Sequence, residues 1–284
     1  MKQLLFLSAM IVALTANAQI GVFSQVLDKA TPVDTARYAV TYSLDYTCHP
    51  KADVRFDDVR TLLIGRHHVK DYSDVIYHYD SLATSQSMRG ATTLSNPPGS
   101  PWPYEILLSD KGRQADMKYR LPIGTGVLHY SEQVPTMEWN FAADSTQTIL
   151  GFECQMATVE FAGRKYSAWF TTELPLPYGP YKFGGLPGLI LKIEDAEKQF
   201  KWEATAFENS RLPIDIYQYN DEKTCSMEEA AKTIERCYKT PNAFLLGAIG
   251  GGKGRIHIVG KDGKPRDASE IEDTPIPYKP LEIK

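Results

Sequence analysis

Between Arg37 and Thr47 apolar and polar positions alternate strictly. Tyr38, Val40, Tyr42, Leu44 and Tyr46 share one face, and Thr41, Ser43, Asp45 and Thr47 the other. Period-two alternation of β-favouring side chains predicts a half-buried antiparallel strand. Val59 to Ile64 reads as a second strand, while Tyr72 to Ser85 fits either a short helix or a loop. Farther on, Ala157, Val159 and Phe161 alternate with Thr158 and Glu160, Gly163 marks a turn, and Tyr166, Ala168 and Phe170 form the return strand. Leu189, Leu191 and Ile193 alternate with Ile190, Lys192 and Glu194. A polar stretch follows, and then Phe200, Trp202, Ala204 and Ala206 alternate again. These spacings predict two successive hairpins. Ser226 and Glu229 have the spacing of a capping box, and Met227, Ala230, Ala231, Ile234 and Tyr238 form a helical stripe that Pro241 closes. Asn96 to Pro103 carries four prolines, which fix φ and remove donors, so it is a loop.

Strands outnumber helices. The expected fold class is α+β and β-rich: one curved, mainly antiparallel sheet or open barrel with few helices. A single domain is expected over 19–260, followed by an extended tail over 261–284. Composition agrees with a globular chain: 284 residues, 43% hydrophobic and 23% charged. The net charge of −4 gives no basic surface for phosphate neutralisation, so nucleic acid is not an expected partner.

The first eighteen residues read as a signal peptide. Lys2 supplies the positive start, Leu4 to Thr15 the apolar run, and Ala16-Asn17-Ala18 a small-x-small site with cleavage after Ala18. The apolar run is shorter than the roughly 20 residues a spanning helix needs. No later run is long enough, so no transmembrane segment is expected in the mature chain. The expected location is outside the cytoplasm, in the periplasm or outer cell envelope. Export permits disulfides among Cys48, Cys154, Cys225 and Cys237. Cys225 and Cys237 flank the predicted helix, which separates them by roughly 18 Å. A bridge needs Cα atoms within about 7 Å, which disfavours that pair unless the helix is short or broken; Cys48 with Cys154, both on strand-like segments, is the geometrically easier candidate.

Catalytic signals are weak. Gly247 to Lys253 has the spacing of a phosphate-binding loop. However, Gly254 stands where Ser or Thr would hold Mg²⁺, and Arg255 to Val259 alternates like a strand rather than opening a helix. His67 and His68 are adjacent and point to opposite faces of a strand, as do Cys48 and His49. A metal site would therefore need distant segments, such as Cys48 with His67 or His68. No metal or cofactor is implied. There is no G-x-S-x-G elbow, and no catalytic residue is assigned; Glu173, Glu194 and Asp195 are the dispersed carboxylates a hydrolase would have to use.

The least generic stretch runs from Glu173 to Ile190 and contains Gly185-Leu186-Pro187-Gly188-Leu189-Ile190. With Leu150-Gly151-Phe152-Glu153-Cys154 upstream, Ala168-Trp169-Phe170-Thr171, and Gly179-Pro180-Tyr181-Lys182-Phe183, it resembles the exported GLPGLI family of Bacteroidetes bacteria. Phe170 departs from the family's more frequent Tyr, and Thr172 from its Pro. The resemblance covers about 150–207 and implies an envelope protein of no established activity, placed beside TonB-linked outer-membrane systems. It carries over no catalytic residue. Physically, Gly185, Pro187 and Gly188 make a tight corner into the strand that follows, with Leu186 and Leu189 anchoring it. Trp169, Tyr178, Tyr181 and Phe183 are the candidate lining of an apolar groove. The hairpin style also resembles periplasmic lipoprotein carriers of the open-barrel type. The leading expectation is a non-enzymatic binding or accessory module for a lipid, a peptide or an outer-membrane partner. The alternatives are a secreted hydrolase and a metal-handling protein.

Overall fold

The computed structural model describes residues 21–27, 29–49, 54–249, 257–259, 265–267 and 273–282. The expected signal peptide and the glycine-rich stretch 250–254 lie outside the described residues. The alternating segment at 37–47 is a strand, β2 (Tyr38–Tyr46), after a short β1 (Ala30–Thr35). Its Val40, Tyr42, Leu44 and Tyr46 are all buried. From β2 the chain runs as an antiparallel meander through β3 (Phe56–Ile64), β4 (Val69–Ser73), β5 (Tyr104–Ser109), β6 (Gln114–Arg120) and β7 (Val127–Gln133). A second meander follows: β8 (Asn140–Ile149), β9 (Phe152–Phe161), β10 (Arg164–Thr171), β11 (Leu189–Asp195) and β12 (Phe200–Asn209).

The meanders join along β2 and β12, from Tyr38 opposite Asn209 to Tyr46 opposite Phe200. After β13 (Pro213–Tyr217), a three-residue β14 (Glu222–Thr224) adds in parallel beside β7. The twelve-stranded sheet thus ends at β14 and β8 and does not close into a barrel. The β-rich class with a curved, mainly antiparallel sheet is what the alternation predicts.

The two faces of the sheet are covered differently. One face bears Leu44, Leu62, Ile106, Met117, Tyr166, Ile193 and Trp202, which belong to one continuous core. The loop 172–188 lies across it. Tyr181 sits 6.3 Å from Tyr104 on β5, and Phe183 sits 5.5 Å from Phe161 on β9. The loop therefore bridges both meanders and fills the concavity. The other face packs Ala39, Leu63 and Leu107 under Ile214 of β13, which pairs with β1, and beside α1 (Asp74–Met88).

Several local readings change. The ambiguous segment 72–85 is the end of β4 followed by helix α1, started by the Ser73 hydroxyl accepting from the Ile76 N–H. The capping box of Ser226 and Glu229 is present at α2 (Met227–Lys239). Pro241 does not end the helical region; it is the first residue of α3 (Pro241–Ile249), where its missing N–H costs nothing. The tail is extended but docked: Tyr278 stacks on Tyr238 at 4.1 Å, and Leu281 is buried. The Arg164 guanidinium holds that tail by donating to the carbonyls of Leu281 and Pro280, both at 2.7 Å.

All four cysteines are free thiols, so the expected Cys48–Cys154 bridge is not formed. Cys48 follows β2 and Cys154 lies on β9, with β12, β11 and β10 between. Four interstrand steps amount to roughly 19 Å along the sheet, far beyond disulfide reach.

Candidate functional site

A groove of about 750 Å³ lies between the β7–β14 edge and the helices α2 and α3. Its elements are fixed locally. The Cys225 N–H donates to the His129 carbonyl, holding the end of β14 on β7. The capping box then starts α2, whose Ala230, Ile234, Cys237 and Tyr238 face the core. The apolar lining contains Leu121, Leu128 and Phe244, and the charged lining Lys223, Lys232 and Arg236 together with Asp221 and with Glu229, whose carboxylate accepts from the Ser226 N–H. Arg236 lies 5.4 Å from the centre of the Phe244 ring, so a cation and an aromatic surface meet at the lip. Lys232 pairs with Glu228 at 2.7 Å on the exposed side. Burial, aided by Glu229, pushes the Cys225 thiol up, which keeps it protonated at neutral pH. A volume of this size is typical of small-molecule sites. Apolar walls beside these cations suit a ligand with an apolar body and an anionic end.

The sequence candidates 169, 178, 181 and 183 do not converge there. Tyr181 and Phe183 are buried side by side, 6.0 Å apart, inside the core. Tyr178 is half-buried and bridges Gly184. Trp169 is on the opposite face of β10 from Phe170, with the Lys192 ammonium 4.7 Å from its ring. Tyr181 adopts φ +58°, a conformation rare for a bulky residue. Its N–H donates to Asp71 at 2.6 Å and its hydroxyl to Glu282 at 2.8 Å, which holds that geometry.

The hexapeptide forms a corner with little room. A Cβ on Gly188 would lie 1.9 Å from the Thr171 carbonyl oxygen, and Gly185 has φ +85°. Leu186, Leu189 and Ile190 are buried while Pro187 faces solvent. The Tyr42 hydroxyl donates to the Ile190 carbonyl at 2.7 Å, and the Trp139 indole to the Gly184 carbonyl at 2.9 Å.

This loop is tied to a buried charge cluster. Arg60 on β3 donates to Asp71 on β4, to Asp58, and to the carbonyls of Trp102 and Tyr104. Burial pushes the Asp58 carboxyl up to about 6, against the pull of Arg60, the Ser73 hydroxyl and the Trp102 N–H. A second ionic cluster lies on the other face of the sheet. Lys70 pairs with Glu105 at 3.0 Å, Arg120 with Asp80, and Lys118 with Glu222 at 2.6 Å. The Tyr219 hydroxyl joins Glu105 to Arg120, at 2.9 and 3.0 Å. Burial would raise Glu105, but Lys70 and Arg120 outweigh it and hold the carboxyl below its usual range. The cleft beside this cluster is about 20 Å³, enough for one water, so these charges serve the fold rather than a ligand.

Other sequence candidates separate. Glu194 lies opposite Ser167, and Thr171 is already four residues, about 13 Å, along β10 before the chain reaches Glu173. That exceeds the roughly 5–9.5 Å of a glycosidase carboxylate pair. The N–H groups of His67 and His68 both donate to the Asp34 carboxylate, fixing the turn after β3. Among the described residues no three His, Cys, Asp or Glu side chains are grouped to hold a metal ion. No described helix is long and apolar enough to cross a membrane. The groove residues escaped the sequence reading. Their one available signal is the i,i+4 pair Lys232 and Arg236 on a helix whose other face is apolar.

A family model described as a protein of unknown function (Porph_ging) matches residues 159–192. That window covers the end of β9, all of β10, the loop across the concavity and the start of β11. No curated protein matches. Crystal structures of PNGF-II in the P21 and C2 space groups superpose with TM-scores of 0.48 and 0.47 at 14% identity. They cover 72% of this chain, which spans about a third (34%) of theirs.

Proposed function

We propose that the protein is an exported GLPGLI-type envelope module that binds an amphiphile in the groove between β7–β14 and α2–α3. The ligand's anionic head meets Lys223 and Arg236, and its apolar body lies on Leu121, Leu128 and Phe244. The observation that carries this reading is the groove itself: about 750 Å³ of space whose lining combines an apolar wall with three cations, against two carboxylates of which Glu229 is engaged in the α2 cap. Export after cleavage at Ala18, and service to an outer-membrane partner, belong to the same proposal. The loop 172–188 then acts as the rigid filling of the sheet that holds β7 and α2 in place. Anilinonaphthalene sulfonate, an apolar anion, tests the groove by fluorescence. Palmitate should displace it and dodecyltrimethylammonium should not. Lys223→Glu with Arg236→Glu should weaken palmitate by about tenfold or more. Equal displacement by the cationic detergent, or unchanged affinity in the double variant, would overturn the reading.

A further inference from the structure

One wall of the groove is a helix whose cap is borrowed. α3 supplies Ala243, Phe244 and Gly247 to the lining. It is nine residues long, contains a glycine, and has no acidic side chain in its first turn. A helix this short with a glycine inside is marginal by itself. Thr240, at the capping position, turns its hydroxyl back to the Arg236 carbonyl at 3.2 Å. The N–H groups at the start of α3 are met instead from the C-terminal tail. The Asp273 carboxylate accepts from the Asn242 N–H at 2.7 Å and from the Ala243 N–H at 3.2 Å, so it does the work of an N-cap.

The tail behind Asp273 is anchored in the core. The Ile276 N–H donates to the Tyr238 carbonyl, and Tyr278 stacks on the Tyr238 ring. Farther on, Arg164 grips the carbonyls of Pro280 and Leu281, and Glu282 meets the Lys182 ammonium and the Tyr181 hydroxyl. The Arg164 and Lys182 side chains are each only 2% exposed. Between anchor and cap, Thr274 and Pro275 face solvent and Asp273 is half-buried. The firm end of the tail is therefore on the sheet, and the end on α3 is a carboxylate near the surface.

The joint between the helices is one residue long. The Thr240 N–H donates to the Arg236 carbonyl of α2, and the Thr240 carbonyl accepts from the Phe244 N–H of α3. Its φ of −136° and ψ of 65° are not helical, and the proline that follows disfavours the helical region there. Rotation at Thr240 carries α3 away from β7 while α2 keeps Ala230, Ile234, Cys237 and Tyr238 in the core.

We propose that α3 is a flap over the groove, hinged at Thr240 and latched by the C-terminal tail through Asp273. Opening breaks the borrowed cap and draws Phe244 away from Arg236, so the apolar wall and the lip part together. The tail stays seated on the sheet, which leaves Asp273 in place to recapture α3. The flap rests on the amphiphile reading for what passes it, but its motion has readouts that need no ligand.

The full-length protein is tested by hydrogen exchange and by alkylation of Cys225, which lines the groove. Iodoacetamide is small and uncharged, so its rate reports access to the thiol whatever the groove carries. Asp273→Ala should speed exchange of amides in 242–247 and alkylation of Cys225 by about fivefold or more, leaving amides of β9 and β10 unchanged. Asp273→Asn keeps an acceptor oxygen and should stay within about twofold of the parent. Unchanged rates in Asp273→Ala overturn the flap. So does equal acceleration in β9 and β10, which would make the cap a support of the whole fold. Anilinonaphthalene sulfonate separates the two readings. Faster rates in a protein that does not bind it support the flap and count against the amphiphile, whereas binding beside unchanged rates overturns the flap alone.

Discussion

Gly188→Ala puts a methyl group where the structure has no space. The new Cβ would lie 1.9 Å from the Thr171 oxygen, 2.6 Å from its carbon and 3.0 Å from the Thr172 nitrogen. Carbon–oxygen contacts settle at about 3.3 Å or more, so the two backbone segments must part by roughly 1.4 Å. All three atoms are main chain, and Leu189, which follows, is fully buried, so no rotamer change relieves the clash. Overpacking of this kind costs about 1–3 kcal/mol, and a backbone-on-backbone clash belongs at the upper end. For a chain of this size about 3 kcal/mol lowers Tm by roughly 6–12 °C. Gly185→Ala provides the comparison. Its Cβ meets nothing closer than the Trp139 indole at 3.9 Å, so only the φ of +85° is paid for, about 1–2 kcal/mol. Gly90→Ala, with φ +76° and open space around it, isolates the same backbone effect outside the loop. Urea unfolding followed by tryptophan fluorescence reads all three. A Gly188→Ala variant within about 0.5 kcal/mol of the parent, or less affected than Gly185→Ala, would refute the close-approach argument.

Other predictions concern the buried polar groups and the thiols. Asp58 has a folded pKa raised to about 6, above its unfolded value, so the folded protein binds the extra proton and loses that stabilisation as pH rises from about 4 through 6. Relative to Asp58→Asn, the parent should therefore become less stable across that window in urea titrations; a parallel pair of curves would contradict the assignment. Arg164→Lys removes the forked donation to the Leu281 and Pro280 carbonyls. It should cost about 1.5–3 kcal/mol and let limited proteolysis remove the C-terminal segment first. Burial pushes the Cys48 and Cys237 thiols up to about 12 and Cys154 up to about 11, while Cys225 is only half-buried. Ellman's reagent should titrate Cys225 alone in the native protein and all four thiols in denaturant, and fewer in denaturant would reveal bridges.

Alternation was readable wherever one face of a strand meets the core and the other meets water. That holds for β2 and for the two hairpins of β9–β10 and β11–β12. β6 alternates just as strictly, Ala115, Met117 and Tyr119 against Gln114, Asp116, Lys118 and Arg120, yet Lys118 and Arg120 are buried against Tyr217 and Tyr219 instead of facing water. With both faces covered, the polar positions no longer mark solvent, so the alternation gives the strand but not the burial of its second face. The hexapeptide announced a tight corner through its glycines. That Tyr181 and Phe183 fill the core instead of lining a mouth depends on Asp71 and Arg60, about 110 residues away in the chain. The groove was less legible still, because its walls come from β7, β14 and two helices that only the folded sheet brings together.

An anionic amphiphile is proposed to occupy the groove between β7–β14 and α2–α3. The decisive measurement is native mass spectrometry of the protein purified without detergent from the cells that produce it. The expected result is an added mass of a hydrophobic anion that is lost on denaturation and absent from the Lys223→Glu, Arg236→Glu variant prepared in the same way. A bare polypeptide mass, or an adduct that the variant retains in full, would contradict it.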